Sequence, residues 1–285
     1  MTRFNPVWGS RTYIMGIVNV TPDSFSGDGS VDPDEAVAHG VHLAQQGADI
    51  LDVGGESSRP GAEPVDPEEE AHRIVPVIER LSRQVELPIS VDTRHARVAK
   101  AALAAGATMV NDVWGFLQDP DLARVVSQAG AWAVAMHNRK ATAASIPQVG
   151  GYVSEAPSGD LLTDIAQGLS TSIAALHAAG VPDDRIIVDP GFGFGKTPPQ
   201  NLDLVARLNR LKELGFPILL GPSRKSTIGI VLGGLPPSER VEGTAALVAL
   251  GIANGADIVR VHDLPAMARV VSMTDAVVRG ASHGS

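Results

Sequence analysis

The sequence predicts an α/β protein, a single-domain (β/α)8 barrel, on three observations. Short aliphatic runs alternate with longer amphipathic stretches from one end to the other. A small Ala/Gly motif recurs where a stretch hands over to a run. Polar residues stand at the C-terminal end of all eight runs. Alternation of this kind marks βαβ units and a parallel sheet. Polar groups at every strand end favour closure into a barrel, because there eight loops converge on one site. An open doubly wound sheet needs them only beside its switch point.

Taken in order, strands are expected at Tyr13–Asn19, Asp49–Val53, Ile89–Asp92, Met109–Asp112, Trp132–His137, Ile186–Asp189, Ile218–Gly221 and Ile258–His262. Helices are expected over Pro33–Gln46, Pro67–Val85, Ala96–Ala105, Asp160–Ala179 and Leu202–Leu214. The recurring motif reads AQQGAD over 44–49, AAGATM over 104–109 and ANGAD over 253–257. Each Gly sits just past a helix, where a left-handed residue ends the last turn. The Gly/Pro/Ser-rich stretch from Gly150 to Gly159 reads as one long loop before a helix, not a linker. Residues 1–285 are therefore taken as one domain, with a barrel core at about 12–280.

Composition bounds the function. A chain of 285 residues holds a core without staples. With 44% hydrophobic and 19% charged residues it reads as globular, and with 4% aromatics the core must be aliphatic. There are no cysteines, which excludes disulfides, thiolate metal sites and a cysteine nucleophile, and fits a cytoplasmic setting. No secretory h-region or membrane span is expected. The net charge of −9 argues against general nucleic-acid binding. It leaves an anionic small substrate open, because a few focused cations dominate a cleft.

The strand ends carry the candidate chemistry. Asp92 and Asp189 each close an apolar strand, so each is desolvated and needs a partner. Together they suit the N–H groups of a guanidine-like heterocycle edge, and Asn111 offers both donor and acceptor beside them. Asp112 reads better as a backbone cap. The loop Gly54 to Gly61 combines glycines, hydroxyls and Arg59, a set suited to an anion. Gly191 to Thr197 imitates a Walker loop, but Pro190 stands where its first Gly belongs and removes an N–H. Its glycines are instead expected to bring backbone close to a flat ligand, with Phe192 or Phe194 packing nearby. Ser223, Arg224 and Lys225 follow strand seven and Arg260 and His262 end strand eight, beside the two loops that are the habitual phosphate site of such barrels.

Seven segments carry a resemblance to a known family: GIVNVTPDSFS (16–26), DVGGESSRPGA (52–62), ISVDT (89–93), NDV (111–113), DPGFGFGK (189–196), GPSRKS (221–226) and RVHD (260–263). In order and at strand ends throughout, they resemble the dihydropteroate synthases, pterin-binding TIM barrels of folate biosynthesis. The resemblance implies a transferase that joins 6-hydroxymethyl-7,8-dihydropterin pyrophosphate to 4-aminobenzoate, with Mg2+ and loss of pyrophosphate. It implies that Asp92, Asn111, Asp189 and Lys225 bind the pterin ring, and that Val113, Met136, Phe194 and Gly221 line it. Asn19, Arg260 and His262 would hold the pyrophosphate, with Asn19 also a Mg2+ ligand. Phe25, Ser58, Arg59, Pro60, Gly193 and Ser223 would shape the 4-aminobenzoate side, where sulfonamides compete. A homodimer is implied as well.

No nucleophile–base–orienter set is visible, so covalent catalysis is not expected. The dihydropterin substrate that the resemblance implies can push electron density toward its exocyclic CH2, which makes an SN1-like loss of pyrophosphate the expected step. Two departures from the family pattern stand out. Gly27-Asp28-Gly29 replaces the usual Asp-Gly-Gly, and Met136 to Lys140 lacks the usual Gly- and Pro-containing continuation, so that loop is expected to differ in shape. Two rivals are a pterin-dependent methyltransferase, which has no need of the first two loops, and a non-catalytic pterin-binding paralogue.

Overall fold

The computed structural model describes residues 4–21, 32–56, 65–138 and 159–280. Eight strands, β1 (Tyr13–Asn19), β2 (Ile50–Gly54), β3 (Ile89–Asp92), β4 (Met109–Asp112), β5 (Trp132–Met136), β6 (Ile186–Asp189), β7 (Leu219–Leu220) and β8 (Ile258–Val261), form one sheet. Neighbours run in the order β6-β5-β4-β3-β2-β1-β8-β7. Every pairing is parallel, and a bridge from Val188 to Ile218 brings β6 against the lead-in to β7 and closes the barrel.

Outside lie α1 (Pro33–Gln45), α2 (Pro67–Gln84), α3 (Ala96–Ala104), α4 (Leu122–Ala129), α5 (Leu161–Ala178), α6 (Pro198–Ala206), α7 (Ser226–Val231), α8 (Val241–Ala253) and α9 (Leu264–Arg279). Their starts are legible in the chain. Asp32 and Asp66 each accept from the amide two residues on, with Pro33 and Pro67 at the first helical position, where a missing N–H costs nothing. The three motif glycines, Gly47, Gly106 and Gly255, have φ of +97, +118 and +102°, which a side chain rarely adopts. None of the described helices is long and apolar enough to cross a membrane.

One expected helix, Leu202–Leu214, is two elements. Thr197 and Gln200 form a reciprocal capping box that starts α6 earlier, at Pro198. At Arg207 the backbone leaves the helical region, and a 3₁₀ segment, Leu208–Leu214, takes over. Strand seven is also shorter than expected, two residues, with Ile218 making the closing bridge just before it.

Two hydrophobic clusters follow from the closed sheet. The larger one packs helices onto the outer face of the strands, through residues such as Leu51, Val53, Ile74, Val91, Val110 and Val259. The smaller one fills the inside of the barrel with Tyr13, Met15, Ile50, Met109, Trp132, Val134, Ile187, Leu219 and Ile258. Phe4 and Trp8 close its lower end, edge-on to Tyr13 and Trp132, with ring centroids 5.2–6.1 Å apart.

Candidate active site

Successive strand residues face opposite sides, so each interior residue is followed two positions later by another interior residue. Ile50 leads to Asp52, Met109 to Asn111, Val134 to Met136, Ile187 to Asp189, Leu219 to Gly221 and Ile258 to Arg260. Register aligns them: Met136 lies beside Asp189, Asp92 beside Asn111, and Gly54 beside Asp92. An apolar floor therefore passes within one step into a polar ring at the C-terminal mouth.

Arg260 organises this ring. Its Nε donates to Asp52 Oδ2 at 2.6 Å and its Nη2 to Asp92 Oδ2 at 2.8 Å. Asn111 Nδ2 donates to the same Asp52 oxygen at 3.1 Å. Asp52 is fully buried, and its other oxygen has no partner among the described residues. Burial raises the Asp92 carboxyl above the ordinary carboxylate range, with Asp52 and Asp112 adding to the rise against the pull of Arg260. Asp189 gives one oxygen to the Gly191 amide at 2.7 Å, and burial lifts its carboxyl to about 6.

Lys225 faces Asp189 and Asp92 across the mouth. Its Nζ sits 4.0 Å from the centroid of the Phe194 ring. Burial, then the charge of Arg260, lowers it to about 8, against the pull of Asp189 and Asp92. A Cβ on Gly193 would meet the Lys225 stem at 3.1 Å, and φ there is +82°, so glycine lets the loop lie under the lysine. The loop itself is tied by Lys196, whose buried Nζ donates to the carbonyls of His137, Gly191 and Phe194 at 3.2, 2.9 and 3.1 Å. The Walker-like lysine is thus a clasp on backbone carbonyls. Of the two phenylalanines weighed from sequence, Phe192 belongs to the outer core and Phe194 to the site.

His262 follows β8, beside Ser223. Its ring is half-buried beside Arg260, Arg224 and Lys225, and desolvation followed by those charges lowers it to about 3. At neutral pH it is a neutral imidazole. The Ser223 hydroxyl accepts from the His262 amide at 3.1 Å and lies 3.0 Å from Nδ1. That hydroxyl is set to donate to Nδ1, which leaves the ring proton on Nε2. Ser223 is therefore engaged with His262. Arg224 is paired with Asp263. Asp112 accepts from the amides of Trp114 and Phe116 at 2.8 and 2.7 Å, which secures its reading as a backbone cap, though of a tight turn and not of α4.

Asn19 ends β1 on the inward side and is half-buried, and Val113 follows Asn111 at the rim. Phe25, Asp28, Ser58, Arg59, Pro60 and the loop after β5 from residue 139 to 158 lie outside the described residues. One site residue escaped sequence reasoning: Asp52. Its signal was present, as an acid two positions after an inward Ile inside an otherwise apolar strand.

A family model described as pterin binding enzyme matches residues 15–262. The dihydropteroate synthase of Clostridium beijerinckii is 48% identical over 273 residues, covering 95% of this chain and 96% of that one. The structure of the Clostridium difficile dihydropteroate synthase, obtained in the presence of pteroic acid, is 46% identical with a TM-score of 0.88, covering 96% of this chain and 100% of that one. The Yersinia pestis dihydropteroate synthase in a sulfonamide drug complex is 36% identical with a TM-score of 0.89, covering 99% of each chain.

Proposed function

Since the chain belongs to the pterin-binding enzymes and, within them, to the dihydropteroate synthases, we propose how its barrel mouth performs their reaction. That reaction is a transfer, in which 6-hydroxymethyl-7,8-dihydropterin pyrophosphate and 4-aminobenzoate give 7,8-dihydropteroate and pyrophosphate.

One observation supports the assignment of roles above all: Asp92, Asn111, Asp189 and Lys225 converge with Arg260 on one half-enclosed mouth. Asp92 and Asp189 accept from the amino and ring N–H groups of the pterin, and Asn111 reads the adjoining ring edge. Lys225, still mostly protonated at neutral pH, donates to the ring's acceptor side. Val113, Met136, Phe194 and Gly221 border its faces. A pterin that takes Asp92 displaces one of the two carboxylate contacts of Arg260. The guanidinium is then free to turn toward the pyrophosphate. Substrate binding and leaving-group binding are coupled through this exchange.

The dihydropterin pushes electron density toward its exocyclic CH2, so the C–O bond to pyrophosphate breaks first. The two carboxylates stabilise the delocalised cation, while Arg260 and the Nε2–H of His262 receive the departing charge. The neutral arylamine of 4-aminobenzoate then forms the C–N bond and sheds one proton. Ser58, Arg59, Pro60 and Phe25, with Gly193 and Ser223, form the 4-aminobenzoate side, where sulfonamides compete.

Mg2+ fits the donor set, for Asn19 offers a neutral amide oxygen at the rim and this ion takes few protein oxygens beside substrate phosphates and water. When bound, it supplies positive charge to the leaving pyrophosphate. The protein works as a homodimer through α7, α8 and α9, on which Ile230, Val231, Leu250, Met273 and Val277 stand more than half exposed.

The test is direct. Incubation with both substrates and Mg2+ is expected to yield 7,8-dihydropteroate, and chelation of divalent metal to suppress it. Full activity in chelator would overturn the role given to Mg2+ without touching the pterin assignments.

A further inference from the structure

Outside the mouth, between β2–α2 and β3–α3, lies a second cluster. Glu56 stands two residues past β2, Glu70 sits in the first turn of α2, and His95 occupies the N-cap position of α3 without capping it through its side chain. One ligand atom from each lies within 4.8 Å of the other two. Glu70 is fully buried, and apart from the Thr93 side chain no hydrogen-bonding group answers its carboxylate among the described residues. The buried Nε2 of His95 has no hydrogen-bond partner among them. Leaving a buried polar atom unmade costs about 1–3 kcal/mol, and more for a charge. A buried carboxylate and a buried ring nitrogen that face each other beside the Glu56 carboxylate call for a cation between them.

We propose that Glu56, Glu70 and His95 form a binding site for a divalent transition-metal ion, such as Zn2+, which ties the start of the second loop to α2 and α3. Two carboxylates with one imidazole are donors for Zn2+ and its neighbours, whereas Mg2+ favours oxygen alone. Ligands on one tetrahedral Zn2+ stand roughly 3.4 Å apart, so rotamer adjustments of about an ångström close the site. His95 is ready to bind as the neutral ring, because burial and Arg94 lower its proton affinity. Burial also raises the Glu70 carboxyl to about 7, so an ion would take the place of a proton. Arg94 Nη2 touches Glu56 at 3.2 Å, but a carboxylate has lone pairs enough for both. His95 also lines a surface cleft with the acids Asp66, Glu68 and Asp119, together with Arg97.

The site is distinct from the Asn19 position, and its test does not use turnover. Equilibrium dialysis of the whole protein against Zn2+ is expected to give one ion per chain at micromolar free metal. His95→Ala and Glu70→Gln should each weaken binding by about 100-fold, since even groups behind a ligand are worth ten- to a hundredfold. His95→Cys should restore much of it, and Asn19→Ala should leave it unchanged. With Co2+ as the probe, His95→Ala should abolish the visible absorption of a four-coordinate ion. Should Glu70→Gln fail to fold by circular dichroism, His95→Ala carries the test at a partly exposed position. No Zn2+ bound at micromolar concentration, or equal binding by wild type and His95→Ala, would overturn the proposal.

Discussion

The floor and the mouth of this barrel are built by the same strands, two residues apart, yet they spend their free energy in opposite directions. The floor is apolar and closed: Met15, Ile50, Met109, Val134, Ile187, Leu219 and Ile258 are fully or almost fully buried against one another and the aromatic base. Burial there stabilises the fold in proportion to area. The mouth holds Asp52, Asp92, Asp189, Lys225 and Arg260 in the same restricted interior, and desolvation displaces the protonation of Asp92, Asp189 and Lys225. Ionised groups in such a place cost stability unless a partner compensates them. The contrast teaches that one half of the barrel interior carries the fold, and the other keeps charges ready for a substrate that completes them.

Four substitutions or titrations sharpen this contrast. Trp132→Ala, on the floor, is expected to lower unfolding free energy by about 3–5 kcal/mol while folded protein keeps its pterin affinity. Denaturant melts with calorimetric titration of pterin measure both, and a parallel loss of binding would break the division between the two ends. Arg260→Ala, in the mouth, should lower kcat/KM by about 100-fold, as loss of one donor to a developing anion does. Its affinity for free pterin should fall far less, and equal losses would remove its role at the pyrophosphate.

Asp92→Asn should weaken pterin binding by roughly 1–3 kcal/mol with unfolding free energy unchanged or improved. Unchanged pterin affinity would refute the reading of Asp92. The smallest effect is read as a direction with pH. The Asp189 carboxyl is raised from an ordinary 3.8 to about 6, so the folded state holds that proton more tightly than the unfolded chain. Its contribution to stability is fully present below 3.8 and is lost as pH rises through 6. Asp189→Asn should therefore gain on wild type across that window in thermal melts. Over the same window pterin binding to wild type should strengthen as pH rises, because the ionised carboxylate is the acceptor. A stability difference independent of pH would show that Asp189 is not desolvated as described.

Most of the architecture was legible in one dimension. Eight apolar runs, three handover glycines with positive φ, and Asp-Pro helix starts at 32–33 and 66–67 are local signals, and local energetics decides them. The same holds for Asp92, Asn111, Asp189 and Arg260, since strand periodicity alone sends them inward once the barrel is granted. The break at Arg207 was not legible, because it depends on a capping box that shifts the helix start and on a backbone that leaves the helical region there.

The sequence by itself determined the fold class, the ends of the strands on which chemistry stands, and, through its seven segments, the family. Only the tertiary structure decided what each charge does. It paired Arg260 with Asp52 and Asp92, turned Lys196 into a clasp on three carbonyls, and made His262 a neutral donor among three cations. The physical reason is that periodicity is a property of neighbours along the chain. Desolvation and Coulomb interaction depend on groups as far apart as Asp52 and Arg260, 208 residues away in sequence and 2.6 Å in space.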